Sequence, residues 1–179
     1  ASAASAAVLR CIMGAIVHQK TRYPDGTMER RTLGKTGMRV SVLGLGGAEI
    51  GFDHPDDDTV ARLIGSALDA GLDVIDTAEC YGDGTDPRSS ESRIGRAVGH
   101  RRDDYLLFTK VGHASGLDGD DWAPSTMAAS IERSLKRLRT ERVDLLQLHS
   151  CSEALLRDGA VVDVLLRARE AGKTRFVGY

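Results

Sequence analysis

The sequence predicts an α/β protein of the (β/α) barrel type, with about five parallel strands behind an N-terminal β-hairpin. Three observations carry that expectation. Short apolar segments alternate with amphipathic ones in strand-then-helix order, the pattern that builds a parallel sheet covered by helices. The apolar segments are hydrophobic nearly throughout rather than at every second residue, as strands buried on both faces must be. Three of them close on polar residues, Asp76, Lys110 and His149, spaced 34 and 39 residues apart, about one strand-helix unit each.

Each element has its own signal. "RRTLGKTGMRVS" sets Gly34 and Gly37 between two short segments, a hairpin pattern. "VLGLGG" (42–47) reads as a glycine-rich strand. Val60, Leu63, Ile64, Ala67 and Leu68 share one helical face that stops at Gly71. The strand "LDVIDTA" (72–78) follows, then a loop and a helix over Ser90–Val98 ending before Gly99. "YLLFTK" (105–110) is the next strand, and Met127, Ile131, Leu135 and Leu138 mark another amphipathic helix. "VDLLQLH" (143–149) is a strand, Val161, Val164, Leu165 and Ala168 line a helix closed by Gly172, and "TRFVGY" opens the last strand. A doubly wound dinucleotide-binding sheet would show G-x-G-x-x-G after its first strand. Here Gly44 and Gly46 are followed by Glu49 in the third glycine's place, so the barrel is preferred.

The 179 residues are 41% hydrophobic and 28% charged with a net charge of −2, a balance that gives no reason to expect a nucleic-acid or membrane partner. Cys11, Cys80 and Cys151 are too widely separated for a C-x-x-C metal pattern or a dense disulfide framework. No metal is expected, and a reducing, cytoplasmic setting is. Residues 1–27 are Ala/Ser-rich and carry no acid before Asp25, with an apolar patch, "VLRCIMGAIV", too short to span a bilayer. They read as an N-terminal extension: a targeting leader, or a segment upstream of a start at Met28. The domain is expected over 28–179.

Asp76, Lys110 and His149 each have an ordinary structural explanation taken singly. In a parallel barrel, however, all strand C-termini open on one face, so the three side chains would converge on one mouth. Acid, base and imidazole meeting in a pocket are a sign of chemistry. Tyr81 lies in the glycine-bounded loop after Asp76 and can reach the same mouth. A phenol is a poor proton donor at neutral pH unless a cation favours its ionised form, and one cation about 4 Å away supplies about 4 kcal/mol at an effective dielectric near 20. Lys110 is that cation, which predicts a chain Asp76···Lys110···Tyr81 with His149 donating to the same substrate oxygen.

"RRTLGKTGMRVSVLGLGG", "IDTAECYG", "SESRIGRAV", "LLFTKVG", "SLKRLRTERVDLLQLH" and "AGKTRFVGY" resemble, in order and spacing, the amino-terminal part of the aldo-keto reductases. The likeness runs from Arg31 to Tyr179. It implies a catalytic tetrad of Asp76, Tyr81, Lys110 and His149, with Tyr81 protonating a carbonyl oxygen while NADPH, or NADH, delivers hydride to the carbon. It also implies that Gly47 and Ala48, together with Asp76, lie against the cofactor, that the first hairpin closes the barrel floor, and that the substrate is a small aldehyde, ketone or sugar. The family barrel has eight strands, whereas this chain stops inside the fifth. The residues that grip the adenosine phosphates, commonly from the last two strands, fall outside it.

Two other functions compete. A strand-end amine such as Lys110 also serves Schiff-base lyases. An incomplete barrel leaves its first and fifth strands as open edges, which points instead to a non-catalytic fragment that pairs with itself or another chain. "DHPDDD" (53–58) could suggest a metal site but reads better as helix initiation, with Pro55 in the first turn and Asp56 to Asp58 on the helix dipole. "LDGDDW" (117–122) reads as a surface loop over the mouth and "ERSLKRLRTER" as a solvated helix face. Cys80 and Cys151 are expected beside the mouth as neutral thiols.

Overall fold

The computed structural model describes residues 27–52, 55–82 and 87–179. The readings placed on residues 1–26 and on His54 lie outside these. A two-stranded antiparallel hairpin, β1 (Arg30–Thr32) and β2 (Arg39–Ser41), precedes five strands: β3 (Leu45–Gly46), β4 (Val74–Asp76), β5 (Leu106–Val111), β6 (Val143–Leu148) and β7 (Thr174–Gly178). These five form one parallel sheet in sequential order, with β3 and β7 at its edges. The helices are α1 (Ala48–Phe52), α2 (Asp57–Asp69), α3 (Ser90–Val98), α4 (Pro124–Leu138), α5 (Glu153–Asp158) and α6 (Ala160–Glu170). Among the described residues no helix is long and apolar enough to cross a membrane.

Local chemistry sets the element ends. Thr36 donates its hydroxyl to the Leu33 carbonyl at 2.6 Å and accepts from the Met38 amide, and Gly37 turns left-handed (φ 71°) to complete the hairpin. Asp56 caps α2, accepting from the Thr59 amide at 2.7 Å, with Asp57 and Asp58 in the first turn. Acids at that end complement the helix dipole. Pro55 therefore stands just ahead of the cap rather than inside the first turn. Ser89 caps α3 through the Ser92 amide. Gly71 and Gly172 follow α2 and α6 with φ 90° and 76°.

Several strands are shorter or shifted relative to the sequence reading, β6 ending at Leu148 just short of His149. Val42 and Leu43 are exposed and precede β3, because Ser41 bends the chain: its amide donates to Asp73 Oδ1 at 2.7 Å and its hydroxyl to the Leu43 carbonyl. Leu72 and Asp73 lie before β4, and β5 starts and ends one residue late. α3 ends at Val98, before Gly99 as read, and Gly99 opens a 3-10 turn, Gly99–Asp104. The short helices α1 and α5 carry too few periodic positions to be read from sequence.

Alternation along the strands divides the core in two. Ile75, Leu107, Val111, Leu146 and Leu148 pack under the helices with Ile64, Ile94, Met127, Ile131 and Val164. Val74 and Phe108, with Leu106, Leu145 and Phe176 beside them, pack on the opposite face against Met38 of the hairpin. That second face is the inside of the sheet's curve, and the hairpin covers its floor. Residues two further along the same face are Asp76, Lys110 and Gln147, so each strand is apolar below and polar at its C-terminal end.

The face of α4 read as solvated is partly buried: Arg137 is 5% and Ser134 1% exposed. Arg137 lies there because α3 and α4 pack backbone to backbone at Gly95, where a Cβ would run into the Arg137 carbonyl. Gly95→Ala is therefore expected to destabilise the fold by about 1–3 kcal/mol through overpacking. Gly65→Ala, in α2 with nothing within 4 Å of the new Cβ, is expected to stabilise it by up to about 1 kcal/mol. Denaturant melts of the two variants check the pair; equal shifts would contradict the assigned contact.

Candidate active site

The parallel register does the positioning. Gly46 pairs with Asp76, Asp76 with Phe108, Lys110 with Gln147, and Gln147 with Gly178. Strand twist and common direction thus bring the inward residues of four strands to one rim. Lys110 Nζ donates to Asp76 Oδ2 at 2.6 Å and to the Thr77 carbonyl at 2.9 Å, and stands 3.4 Å from the Tyr81 hydroxyl. The expected order Asp76···Lys110···Tyr81 is the order found. Gln147 Nε2 is 3.4 Å from the second oxygen of Asp76. Only 17% of the Lys110 side chain is exposed, so its ammonium needs these acceptors.

The loop bearing Tyr81 is held from two sides. Ser90 donates its amide to the Tyr81 carbonyl at 2.9 Å, and a Cβ at Gly51 of α1 would strike that same carbonyl. Phe52 lies 6.1 Å from the Tyr81 ring. The His149 ring meets Tyr81 edge-on at 5.6 Å, and its amide is held by the Val111 carbonyl. Burial, then the Lys110 charge and His113, hold the His149 imidazole below its ordinary pKa, so it is neutral at pH 7. Cys80 Sγ is 3.1 Å from His149 Nδ1. Burial first, and the Glu79 charge next, push that thiol up to about 12, so it keeps its proton.

Gly47 and Ala48 stand where β3 passes into α1. The Gly47 amide donates to the Asp76 carbonyl at 2.8 Å, and a Cβ there would approach Ser90 Oγ to 2.7 Å. A Cβ on Gly46 would meet nothing within 4 Å, so the rim beside Asp76 is open on the β3 side. Cys151 is buried in the helix-side core rather than set beside the mouth. Trp122 is packed, not free: its ring covers Gly112 and meets His113 at 5.6 Å.

The sequence reading missed Gln147, His113 and a buried layer beneath the rim. Counting back by two from His149 would have found Gln147. Glu79 accepts from the His113 amide at 2.9 Å, Glu91 accepts from the Thr109 hydroxyl at 2.7 Å, and Arg137 reaches the Glu79 carbonyl and, at 3.7 Å, Glu91 Oε2. Arg133 donates to the carbonyls of Ala114 and Ser115. This layer ties the loops after β4 and β5 to α3 and α4. At the opposite end of the sheet a cleft of about 520 Å³ is lined by Arg102, Asp144 and Arg175. Asp144 there accepts from both arginines and the Leu107 amide, a packing lock remote from the rim.

Residues 42–179 match the model of the aldo/keto reductase family. The chain belongs to the aldo/keto reductase family. It is similar to L-galactose dehydrogenase of Arabidopsis thaliana, 32% identical over 158 residues that make up 84% of this chain and 48% of that protein. L-glyceraldehyde 3-phosphate reductase of Escherichia coli (strain K12) is 30% identical over 160 residues, 86% of this chain and 45% of that one. Aldo-keto reductase AKR11C1 from Bacillus halodurans, in its holo form, superposes with a TM-score of 0.72 at 31% identity, covering 84% of this chain and 49% of the other. The chain spans about half the length of the curated relatives it matches. Its five parallel strands and hairpin are the corresponding part of the family's (β/α)8 barrel.

Glu79 provides a test of the buried layer. Burial, chiefly, and the Glu91 charge raise its pKa from 4.5 to about 7. A carboxyl raised in the folded state is protonated there while the unfolded chain has ionised, so its contribution to stability declines as pH rises from about 4.5 to about 7. Glu79→Gln removes that dependence. The stability of the variant relative to the parent is expected to rise by up to about 3 kcal/mol between pH 4 and pH 8, measured as the difference between paired urea melts. A flat difference would contradict the burial of this carboxyl.

Proposed function

We propose that the chain supplies the proton-donating side of a carbonyl reductase linked to NADP(H) or NAD(H), reducing an aldehyde, ketone or sugar carbonyl or oxidising the corresponding alcohol. The observation that carries this is the Lys110 ammonium between the Asp76 carboxylate and the Tyr81 hydroxyl. Tyr81 is the proton donor. As its O–H bond breaks, negative charge grows on the phenol oxygen, and a cation 3.4 Å away favours it by a few kcal/mol at an effective dielectric near 20. Asp76 offsets part of that gain but fixes Lys110 where it acts.

His149, neutral, contributes a hydrogen bond. Cys80 Sγ lies 3.1 Å from Nδ1, and in the tautomer where the thiol is the donor of that contact the ring proton stands on Nε2. That N–H is the donor for the carbonyl oxygen that Tyr81 protonates, in the manner of an oxyanion-stabilising group. Gly47, Ala48 and Asp76 would hold the nicotinamide. The open backbone at Gly46 and the amide and carboxylate of Gln147 and Asp76 suit a planar ring bearing a carboxamide. When bound, the coenzyme supplies hydride to the carbonyl carbon.

A second reading rests on the open edges. β3 and β7 end the sheet without a further neighbour among the described residues, and Phe52 and Tyr179 are 53% and 69% exposed. Unpaired edges bind other strands. On this reading the chain self-associates through them, and size-exclusion elution is expected to move to larger species as concentration rises. A concentration-independent monomer with a cooperative melt would remove it.

Carbonyl reduction tests the first reading, in the chain as it stands and with the carboxyl-terminal half of a full-length family member appended. Tyr81→Phe and Lys110→Met are each expected to lower kcat by about 10²–10⁴-fold, while coenzyme affinity, followed by nicotinamide fluorescence, changes only a few-fold. Unaltered turnover in Tyr81→Phe with coenzyme still bound would overturn it.

A further inference from the structure

Beside the tetrad lies a group of side chains that proton donation does not use as a set. Cys80, from the loop after β4, His113, from the loop after β5, and His149, at the end of β6, each offer one ligand atom, and these atoms all lie within 4.8 Å of one another. All three residues are half-buried, so the space between them is reachable from the rim. Cys80 Sγ and His149 Nδ1 are already 3.1 Å apart, and the His113 and His149 rings are 5.3 Å apart at 71°. No fourth protein ligand joins the group among the described residues.

We propose that Cys80, His113 and His149 form a binding site for a soft divalent cation, Zn2+ in preference to Mg2+ or Ca2+, with a fourth coordination position open at the rim. One thiolate and two imidazoles are the donor set that selects zinc over hard cations. Bond lengths of about 2.3 Å to sulfur and 2.0–2.1 Å to nitrogen place tetrahedral ligand atoms about 3.3–3.6 Å apart. The observed spread closes to that with side-chain rotation of about an ångström, in loops rather than strands for two of the three ligands.

The surroundings fit the role. Asp121 Oδ2 lies 3.3 Å from His113 Nδ1, and Asp121 Oδ1 accepts from the Ala114 amide at 2.7 Å. A carboxylate on one ring nitrogen fixes the imidazole so that the other can ligate, and His113 would then bind through Nε2. Trp122 walls the ring on its other side. On binding, the S–H bond of Cys80 breaks, sulfur bonds to the cation, and the proton leaves to solvent. The ligands come from three separate strand ends, which is why no C-x-x-C or H-x-x-x-H spacing in the sequence signals them.

Occupancy would occlude the rim. The cation and the ligand in its open position fill the space beside the His149 ring, which meets the Tyr81 ring at 5.6 Å, so zinc is a reversible inhibitor wherever the reductase reading holds. That consequence rests on the proposed function; the site itself does not, and its test is spectroscopic.

The 179-residue chain, reduced and metal-free, is titrated with Co2+ and then with Zn2+. One equivalent of Co2+ is expected to produce a thiolate-to-cobalt charge-transfer band and tetrahedral visible bands, displaced by one equivalent of Zn2+. Cys80→Ser abolishes the charge-transfer band, whereas Cys11→Ser and Cys151→Ser retain it. His113→Asn, a half-exposed position that leaves the core untouched, weakens Zn2+ binding by more than the ~10–100-fold that loss of a supporting residue costs, and its circular dichroism melt verifies folding. Absence of a thiolate band at one equivalent, or a band and affinity that survive both Cys80→Ser and His113→Asn, overturns the site. Zinc bound as expected without effect on turnover would leave the site standing and count against the reductase reading instead.

Discussion

A half-buried ammonium organises the rim. Lys110 sits at the end of a strand whose other inward residues, Leu106 and Phe108, belong to an apolar floor, and a charge there is tolerated only with acceptors at hand. The parallel register supplies them: Asp76 from the neighbouring strand, the Thr77 carbonyl one residue beyond, and the Tyr81 hydroxyl from the loop that follows. An antiparallel neighbour would have sent its next loop to the other end of the sheet. Direction of the chain, more than any single contact, makes the constellation.

Beneath the rim lies a buried polar layer that carries a cost in folding free energy. Glu79 and Glu91 are both fully buried, and Glu79 Oε2 has no hydrogen-bond partner among the described residues. Replacing such a layer with well-packed apolar residues is often neutral or stabilising. Here it holds the loops after β4 and β5, which carry Tyr81, Cys80 and His113, against α3 and α4. Rigid support of loop residues is what a site with sub-ångström demands requires. The small cost in folding free energy and the order of the rim are two aspects of one arrangement.

Much of this was legible in the residues. Apolar runs closed by Asp76, Lys110 and His149 gave the strand ends, and parallel order then required convergence. The helices with strong apolar stripes, α2, α3, α4 and α6, were located to within a few residues. Legibility failed where tertiary contacts decide. The strand reading at Val42 and Leu43 fails because Ser41 and Asp73 bend the chain there. Arg137 reads as a solvated cation but is held inward by the close approach at Gly95, the Glu91 carboxylate and the Glu79 carbonyl. Gln147 was hidden within an apolar run although its parity with His149 marks its face, and His113 lies past the strand, in a loop whose path depends on Trp122 covering Gly112. Pairing between distant loops, such as Cys80 with His149, has no linear signature.

Whether the rim groups act as one unit is decided by the rate of hydride transfer in single-turnover experiments on Tyr81→Phe, Lys110→Met and the double variant, each saturated with coenzyme. If Lys110 acts through Tyr81, the double variant loses no more than a few-fold beyond Tyr81→Phe alone, the non-additivity expected of residues sharing one step. Losses that multiply in full would show that the ammonium and the phenol act independently, and would contradict the chain of contacts from Asp76 through Lys110 to Tyr81 as the source of the chemistry.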